Sequence, residues 1–185
     1  AGLEGTMPAY NFNDAFQFVL TKCEGIKYTN LAKDNGGETK FGLSDMADGV
    51  KDGKYRGVPI KTMSLEQAKG CFQRDYWQMA HCDLLDDWLA LLVYDGAVNQ
   101  GPVRSIKFLQ QALGVKPDGY FGVKSLMAAN GYRSCTQEAK VRLLDKILAI
   151  REDRYRVHED WAEYGKGWLN RLAKVRKECL RLISA

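Results

Sequence analysis

Apolar side chains recur every three or four positions along most of the chain, a spacing typical of amphipathic α-helices. A first helix is predicted with Asn13 as its N-cap and with apolar positions at Phe16, Val19, Leu20 and Cys23. Ser64 and Gln67 form a capping box, which predicts the start of a second helix. Residues 84–98 are apolar nearly all round, as expected for a central helix that is buried on every side.

The second half of the chain continues the helical pattern. Pro102 suits the first turn of a helix, and Gly114 suits its end. A short helix is predicted after Gly122, and Ser134 with Gln137 starts a long one. The last predicted helix carries a continuous apolar stripe at Trp168, Leu172, Val175, Cys179 and Leu182.

Three segments between these helices are irregular in pattern. Residues 24–45 are polar and glycine-rich, with a turn signal at Gly36 and Gly37 and short strands predicted at 26–28 and 40–43. Residues 48–62 and 115–122 are predicted to be loops. The expected architecture is therefore a mostly α fold with one small β-hairpin.

Composition limits the class of protein. The 185 residues are 45% hydrophobic and 27% charged with only 4 prolines, values that exclude fibrous and disordered classes. The longest strongly apolar stretch, 88–94, is far shorter than the ~20 residues that cross a bilayer. Five scattered cysteines indicate reduced thiols, not a disulfide framework. Neither a cofactor motif nor a metal-ligand cluster is present, so no cofactor or metal is expected.

The start of the chain lacks a signal peptide pattern, so we expect synthesis in the cytoplasm. Residues 1–6 show no periodicity and precede Met7. We interpret them as an expression-tag remnant and Met7 as the natural start.

Positive charge is concentrated at the end of the chain. From Arg133 onward there are 13 Lys and Arg against 8 Asp and Glu, whereas the preceding part carries a net charge of −1. A solvated helix face would explain this excess, and so would attraction to anionic polymers of a cell envelope. Nucleic acid is not expected as a partner, because no aromatic stacking platform is interleaved with the basic residues.

The candidate chemistry lies around the end of the first helix. Glu24 follows an apolar flank, and a partly desolvated carboxyl group there could keep the proton that a general acid gives to a glycosidic oxygen. Asp34 and Thr39 follow within 15 residues, where a carboxylate could activate water that a hydroxyl orients. A glutamate at a helix end and an Asp-Asn-Gly-Gly turn are also common in proteins without this activity.

The same residues belong to a longer ordered set of motifs. The set comprises Glu24-Gly25-x-x-Tyr28, Asp34-x-Gly36-Gly37-x-Thr39-x-x-Gly42-x-Ser44, Tyr76-Trp77, Tyr94-Asp-Gly-Ala-Val-Asn-Gln-Gly101, Asp118-Gly-Tyr-Phe-Gly122 and Gly167-Trp168-x-x-Arg171. From Phe12 to Arg171, these motifs resemble glycoside hydrolase family 108, which includes phage endolysins and bacterial N-acetylmuramidases. Ile26 stands where that family usually has a second glycine.

The resemblance implies a lysozyme-like helical fold with one small β-hairpin. It also implies hydrolysis of the β-1,4 bond between N-acetylmuramic acid and N-acetylglucosamine in peptidoglycan. Glu24 matches the catalytic glutamate and is assigned as general acid. Asp34 is assigned as base or electrostatic stabiliser, and Thr39 as the residue that positions water. Residues 7–90 would form the catalytic region, and 91–185 a peptidoglycan-binding region packed into the same globule.

Several further side chains are candidates for binding the sugar chain. Aromatic faces pack on the apolar side of pyranose rings, which suggests Tyr28, Phe41 and Tyr120. Asp95 and Asn99 are four apart and share one helix face, where they could line a saccharide groove or bond a neighbouring loop. Phe41 could equally be a core residue, and Asp118 with Gly119 could be only a turn.

The biological setting follows from the resemblance. A monomer that acts on the periplasmic peptidoglycan layer would need a holin or a dedicated secretion route to reach it. Two other functions remain open from the sequence. A lytic transglycosylase would cut the same bond without water, and a non-catalytic peptidoglycan-binding module would bind without turnover.

Overall fold

The computed structural model describes residues 9–30 and 37–185. The predicted tag remnant, Met7 and Asp34 lie outside these ranges. Within them the chain forms seven α-helices and two two-stranded antiparallel sheets. The helices are α1 (Phe12–Val19), α2 (Leu65–Phe72), α3 (Asp87–Gln100), α4 (Pro102–Leu113), α5 (Val123–Asn130), α6 (Gln137–Arg156) and α7 (Trp161–Ile183). The predicted mostly α, lysozyme-like class is confirmed.

Local sequence signals explain where most helices begin and end. Ser64 and Gln67 form the predicted capping box of α2. Pro102 is the first residue of α4, and Gly114 ends it in the left-handed conformation with φ 73°. Two N-caps differ from the prediction. Asn11, not Asn13, caps α1 through a capping box with Asp14, and Thr136, not Ser134, caps α6.

The central element is α3, which is buried without interruption from Trp88 to Ala97. It packs against α1, α4, α6 and α7, so it is enclosed by helices from both ends of the sequence. Each fully buried aliphatic side chain stabilises the fold by roughly 1.5–3 kcal/mol. The predicted central buried helix is therefore confirmed, and Asp95 is placed in the middle of the core.

The segment between α1 and α2 contains two small hairpins. Strands β1 (Thr39–Lys40) and β2 (Leu43–Ser44) pair with each other, and β3 (Lys54–Tyr55) pairs with β4 (Val58–Pro59). Both are joined by two residues with positive φ, as in a type I′ turn: Phe41 and Gly42 in the first hairpin, Arg56 and Gly57 in the second. The sequence therefore predicted one hairpin where the structure has two.

The first hairpin also has a different register from the prediction. Its turn lies at Phe41 and Gly42, inside the predicted strand 40–43, and its strands lie on either side. Thr29 forms an isolated antiparallel bridge to Thr39, so the segment after α1 joins the same small sheet region. In the described part of the chain, no helix is long and apolar enough to cross a membrane.

Candidate active site

Glu24 is the last residue of a π-helical turn, Leu20–Glu24, that extends α1. The turn is closed by the N–H of Gly25, which donates to the carbonyl of Leu20 at 2.7 Å. Gly25 has φ 88° and ψ 168°, a conformation that side-chain-bearing residues avoid, so the chain leaves the helix abruptly there. The Glu24 side chain keeps 20% of its surface exposed. It therefore lies at the protein surface with most of its area covered.

Arg171 of α7 holds the carboxylate of Glu24. Its Nη1 donates to Oε1 of Glu24, and its Nε donates to Oδ1 of Asp95 at 2.9 Å. One planar guanidinium thus joins the end of α1 to the middle of α3, a geometry for which arginine is better suited than lysine. The contact fixes the position of Oε1 relative to the core.

Asp95 is shared by two arginines. It has no exposed surface, and its Oδ2 accepts from Nη2 of Arg151 at 2.8 Å. Burial alone would raise the pKa of Asp95, but the charges of Arg171 and Arg151 outweigh burial and hold this pKa below its usual 3.8. Burial likewise opposes the charge on Arg171, yet Asp95 and Glu24 raise its pKa overall. The carboxyl groups of Glu24 and Asp95 and the two guanidinium groups therefore form one connected cluster.

Arg151 and Tyr155 of α6 extend the cluster to the last residues of α3. Arg151 also bonds Gln100 through Nε at 3.3 Å and the hydroxyl of Tyr155 through Nη2 at 3.3 Å. The Tyr155 hydroxyl in turn donates to Oδ1 of Asn99. Side chains from α3, α6, α7 and the end of α1 thus form one connected polar network inside the helical core.

Gly42 covers the opposite side of the Glu24 side chain. A Cβ placed on Gly42 would lie 2.7 Å from Cβ, 2.8 Å from Cγ and 3.0 Å from Oε2 of Glu24. These distances are shorter than side-chain carbons tolerate, and φ at Gly42 is +80°. The turn of the first hairpin is therefore pressed against Glu24, and only glycine fits there.

Two tyrosines have raised pKa values, mainly because of burial and to a smaller extent because of nearby acidic groups that include Glu24. Burial raises the pKa of Tyr76 to about 12, with smaller contributions from the carboxylates of Asp75 and Glu24. Burial also raises the pKa of Tyr94 well above its usual value, again with Glu24 contributing. Tyr76 follows the apolar face of α2 and packs partly buried against the core.

The other predicted catalytic residues have different positions. Thr39 lies in β1, where its backbone pairs with Thr29 at 2.8 and 2.9 Å and opposite Ser44. It belongs to the hairpin whose turn contacts Glu24. Asp34 lies outside the described residues, so its role stays a prediction.

The predicted sugar-binding residues divide between two regions. Phe41 is in the hairpin turn beside Gly42, with φ 55° and with the ammonium of Lys40 5.2 Å from its ring. Tyr28 is 37% exposed, and burial together with a hydrogen bond to Glu38 raises its pKa. Both residues therefore belong to the segment between α1 and α2 that follows Glu24.

Tyr120 lies elsewhere on the surface and is 78% exposed. It lines a cavity of 260 Å³ whose walls all come from residues 110–125. Gln110 organises this loop by donating to Asp118, the carbonyl of Tyr120 and Ser125. The turn predicted at Asp118 and Gly119 is present, with φ +82° at Gly119.

Asp95 and Asn99 face the interior network. Asp95 has no surface left for a ligand, and Asn99 accepts from Tyr155. Sequence reasoning did not select Arg171, Arg151 or Gly42 as site residues. A signal existed for the two arginines, because each occupies a position on the apolar stripe of its helix, where a lone charge needs a buried partner. Within residues 9–30 and 37–185, no cluster of His, Cys, Asp and Glu could hold a metal ion.

Comparison with known proteins covers the same region. A family model described as Glycosyl hydrolase 108 matches residues 16–101, which include Glu24, Thr39, Gly42 and Asp95. The solved structure of SagA from Brucella abortus is similar to the chain with a TM-score of 0.80 and 26% sequence identity. The similarity covers 94% of this chain and 96% of that one, so it extends to Arg171. A search of curated proteins gave no match.

Proposed function

We propose that this chain, whose residues 16–101 match the model of glycosyl hydrolase family 108, is an N-acetylmuramidase with Glu24 as its general acid. The family supports a glycoside hydrolase that acts on peptidoglycan. The proposed bond is the β-1,4 link between N-acetylmuramic acid and N-acetylglucosamine. The proposal is carried by one observation: a surface carboxylate is held from both sides, by Arg171 and by the Gly42 turn.

The two oxygens of Glu24 have different environments. Oε1 accepts from Arg171, whereas Oε2 lies against the hairpin turn. Because Oε1 is engaged by Arg171, Oε2 is the oxygen left for a substrate, and fixed positioning of a reacting group accounts for a large part of catalysis. Oε2 is therefore the oxygen that we assign to proton transfer.

The reaction needs one proton donor and one water molecule. Glu24 gives its proton to the glycosidic oxygen, which leaves as the hydroxyl of N-acetylglucosamine when its bond to C1 of N-acetylmuramic acid breaks. Water supplies the hydroxyl that C1 gains, and its remaining proton restores Glu24, directly or by way of Asp34 where Asp34 activates the water. We assign Asp34 to stabilise the positive charge that develops at C1 or to activate this water, and Thr39 to orient the water.

The substrate would lie along the hairpin and its neighbours. Phe41 and Tyr28 are proposed to contact sugar rings near the scissile bond. Both lie in the segment that follows Glu24 in the chain, and Phe41 is beside Gly42 in the turn that contacts Glu24. Tyr120 is proposed to contact a more distant part of the wall polymer. Asp95 and Asn99 are instead proposed as positioning residues, since their oxygens are engaged by Arg151, Arg171 and Tyr155.

The remaining expectations belong to the same proposal. Peptidoglycan in the periplasm is the proposed target, and the proposed form is a monomer that reaches it through a holin or a dedicated secretion route. The proposed boundary between a catalytic region (7–90) and a peptidoglycan-binding region (91–185) falls inside α3. Both regions would then share one buried helix, in agreement with their proposed packing into one globule.

Digestion of purified sacculi tests the proposal. We expect the wild-type protein to release muropeptides with reducing N-acetylmuramic acid ends, and Glu24→Gln to lower the rate by about 100-fold to 10,000-fold. Glu66→Gln, an exposed glutamate in the first turn of α2, is the matched control and should keep full activity. Release of 1,6-anhydro ends would indicate a transglycosylase. Binding to sacculi without product would indicate a binding module, and equal rates for wild type and Glu24→Gln would refute the assignment of Glu24.

A further inference from the structure

A second cavity lies between the end of α1 and the outer face of α7. Its volume is 650 Å³, within the range of about 300–1,000 Å³ that small-molecule sites occupy. Two apolar side chains, Phe18 and Leu180, pack against the core and line it. Four cationic side chains line it as well: Lys22, Lys174, Lys177 and Arg181. We call this site the basic cavity.

The basic residues converge because of helix geometry. Lys174, Lys177 and Arg181 are spaced i, i+3 and i+7 and therefore share one face of α7. Phe18 and Lys22 are four residues apart at the end of α1 and form the facing wall. Nζ of Lys174 donates to the carbonyl of Lys22 at 3.0 Å, which joins the two walls directly.

The charge of the basic cavity is only partly compensated. Glu178 is its one acidic lining residue, and it pairs with Arg181 at 2.6 Å. The three lysines then remain as net positive charge around an apolar floor. An ammonium group has three N–H donors, so Lys174 can bond the Lys22 carbonyl and still bind an anion. By contrast, Arg176 of the same helix, which does not line the cavity, pairs with Asp145 at 2.7 Å.

We propose that the basic cavity binds an anionic phospholipid, with an acyl chain on Phe18 and Leu180 and the phosphate against the lysines. A polar polyanion would satisfy the lysines but would leave the apolar floor exposed to water. A neutral acyl chain would cover the floor but would leave the cluster of cations unpaired. The combination of both features matches an amphiphile with one negative head group, because the lysine stems also add apolar surface around the chain.

Calorimetric titration with soluble probes tests this site. The probes are dihexanoyl-phosphatidylglycerol, dihexanoyl-phosphatidylcholine and inorganic phosphate. Both lipids are used below the concentration at which they form micelles. We expect the anionic lipid to bind at least tenfold more tightly than either of the others. Equal binding of inorganic phosphate would reduce the site to an anion patch, and equal binding of the neutral lipid would reduce it to an apolar groove. Either result overturns the proposal.

Paired lysine variants show whether binding occurs in the basic cavity. Lys22→Gln with Lys177→Gln should weaken binding of the anionic lipid at least tenfold. Lys116→Gln with Lys124→Gln removes the same charge from the cavity beside Tyr120 and should change it less than twofold. Equal losses in both pairs would indicate binding by general charge attraction and refute the assignment.

Two further measurements keep the result interpretable. The thermal midpoint of each variant shows whether it folds, and vesicles of phosphatidylcholine with 30% phosphatidylglycerol show whether the site works on a bilayer. Sedimentation equilibrium detects the other occupant, a second copy of the chain. A dimer that the Lys22 and Lys177 variant abolishes would mean that the basic cavity is a subunit interface and not a lipid site.

Discussion

Arg171 and Glu24 are 147 positions apart in the sequence, and a charge-assisted hydrogen bond joins them at the protein surface. The arginine lies near the middle of the last helix, whereas the glutamate ends the first helical segment. Closure of the two chain ends around α3 is therefore what orients the proposed catalytic carboxylate. The same arginine is anchored behind by Asp95, so an error in core packing would be transmitted to Glu24.

Replacing Arg171 tests this link. Arg171→Ala leaves Asp95 fully buried with one partner fewer, and breaking a buried pair in this way costs about 3–5 kcal/mol of unfolding free energy. Arg176→Ala is the matched control, because Arg176 lies on the same helix and pairs with a carboxylate that is 47% exposed. Exposed pairs contribute about 0–1 kcal/mol. Urea denaturation measures both values, and equal losses would contradict the structural role of Arg171.

The conservative substitution separates orientation from stability. Arg171→Lys keeps the positive charge but cannot bond Glu24 and Asp95 together through one planar group. We therefore expect a variant that folds, with kcat on soluble sugar chains lowered about tenfold to 100-fold. An unchanged kcat would show that charge alone at this position is sufficient.

Asp95 predicts how stability depends on pH. Its pKa is lower in the folded chain than its ordinary 3.8, because Arg171 and Arg151 favour the ionised form over the opposing effect of burial. The unfolded chain therefore takes up this proton at higher pH than the folded chain does. The stabilisation from Asp95 is present above about pH 4. It is lost as the pH falls through the lower, folded-state value.

Thermal melts of Asp95→Asn provide the measurement. We expect the midpoint at pH 7 to fall by roughly 6–20 °C, the equivalent of the 3–5 kcal/mol expected for a broken buried pair. The decrease in midpoint between pH 5 and pH 3 should be smaller in Asp95→Asn than in the wild type. If Asp95→Asn does not fold, the acid dependence can be compared in Arg151→Lys. Identical acid slopes in wild type and variant would contradict this origin of the pH dependence.

Local signals were sufficient for elements that begin and end within one stretch of sequence. Pro102, Gly114 and the Ser64–Gln67 box predicted two helices because capping requires only neighbouring residues. The second hairpin was missed for an equally local reason. Its strands have two residues each, too few for an alternating pattern, and Pro59 within one of them argues against a strand.

The polar network could be anticipated only in part. Asp95, Arg151 and Arg171 each interrupt an apolar stripe, which predicts that each is buried with a partner. The choice of partner depends on contacts across 56 and 76 residues, and no sequence spacing encodes these contacts. The sequence placed Asp95 and Asn99 on one helix face, but it could not decide between a saccharide groove and a bond to a neighbouring part of the chain, because it does not show which way that face is directed.

Asp34 and Thr39 carry the part of the proposed mechanism that needs water. Asp34→Asn should lower the rate of sacculus digestion by about 100-fold to 10,000-fold if its carboxylate assists water or stabilises charge. Thr39→Val should have a smaller effect, about tenfold, since a hydroxyl that only orients water supplies one hydrogen bond. Thr29→Val is the control, because Thr29 is the same residue type and pairs with Thr39 through two backbone hydrogen bonds that the substitution keeps. A loss of activity in Thr29→Val equal to that in Thr39→Val would indicate disturbance of the small sheet.

Gly42 offers the sharpest test of the geometry around Glu24. A methyl group at this position would lie 2.7 Å from Cβ of Glu24, so Gly42→Ala must displace either the hairpin turn or the side chain of Glu24. Gly57→Ala is a close control: Gly57 occupies the same place in the second hairpin turn, with φ +82° and with nothing within 4 Å of an added Cβ. Both substitutions impose similar backbone strain, about 1–2 kcal/mol, but only Gly42→Ala places a methyl group against Glu24. We expect kcat to fall about 100-fold in Gly42→Ala, as for a displacement of roughly 1 Å at a reacting group. Gly57→Ala should stay within twofold of the wild type, and similar activity in the two variants would show that the first hairpin does not position Glu24.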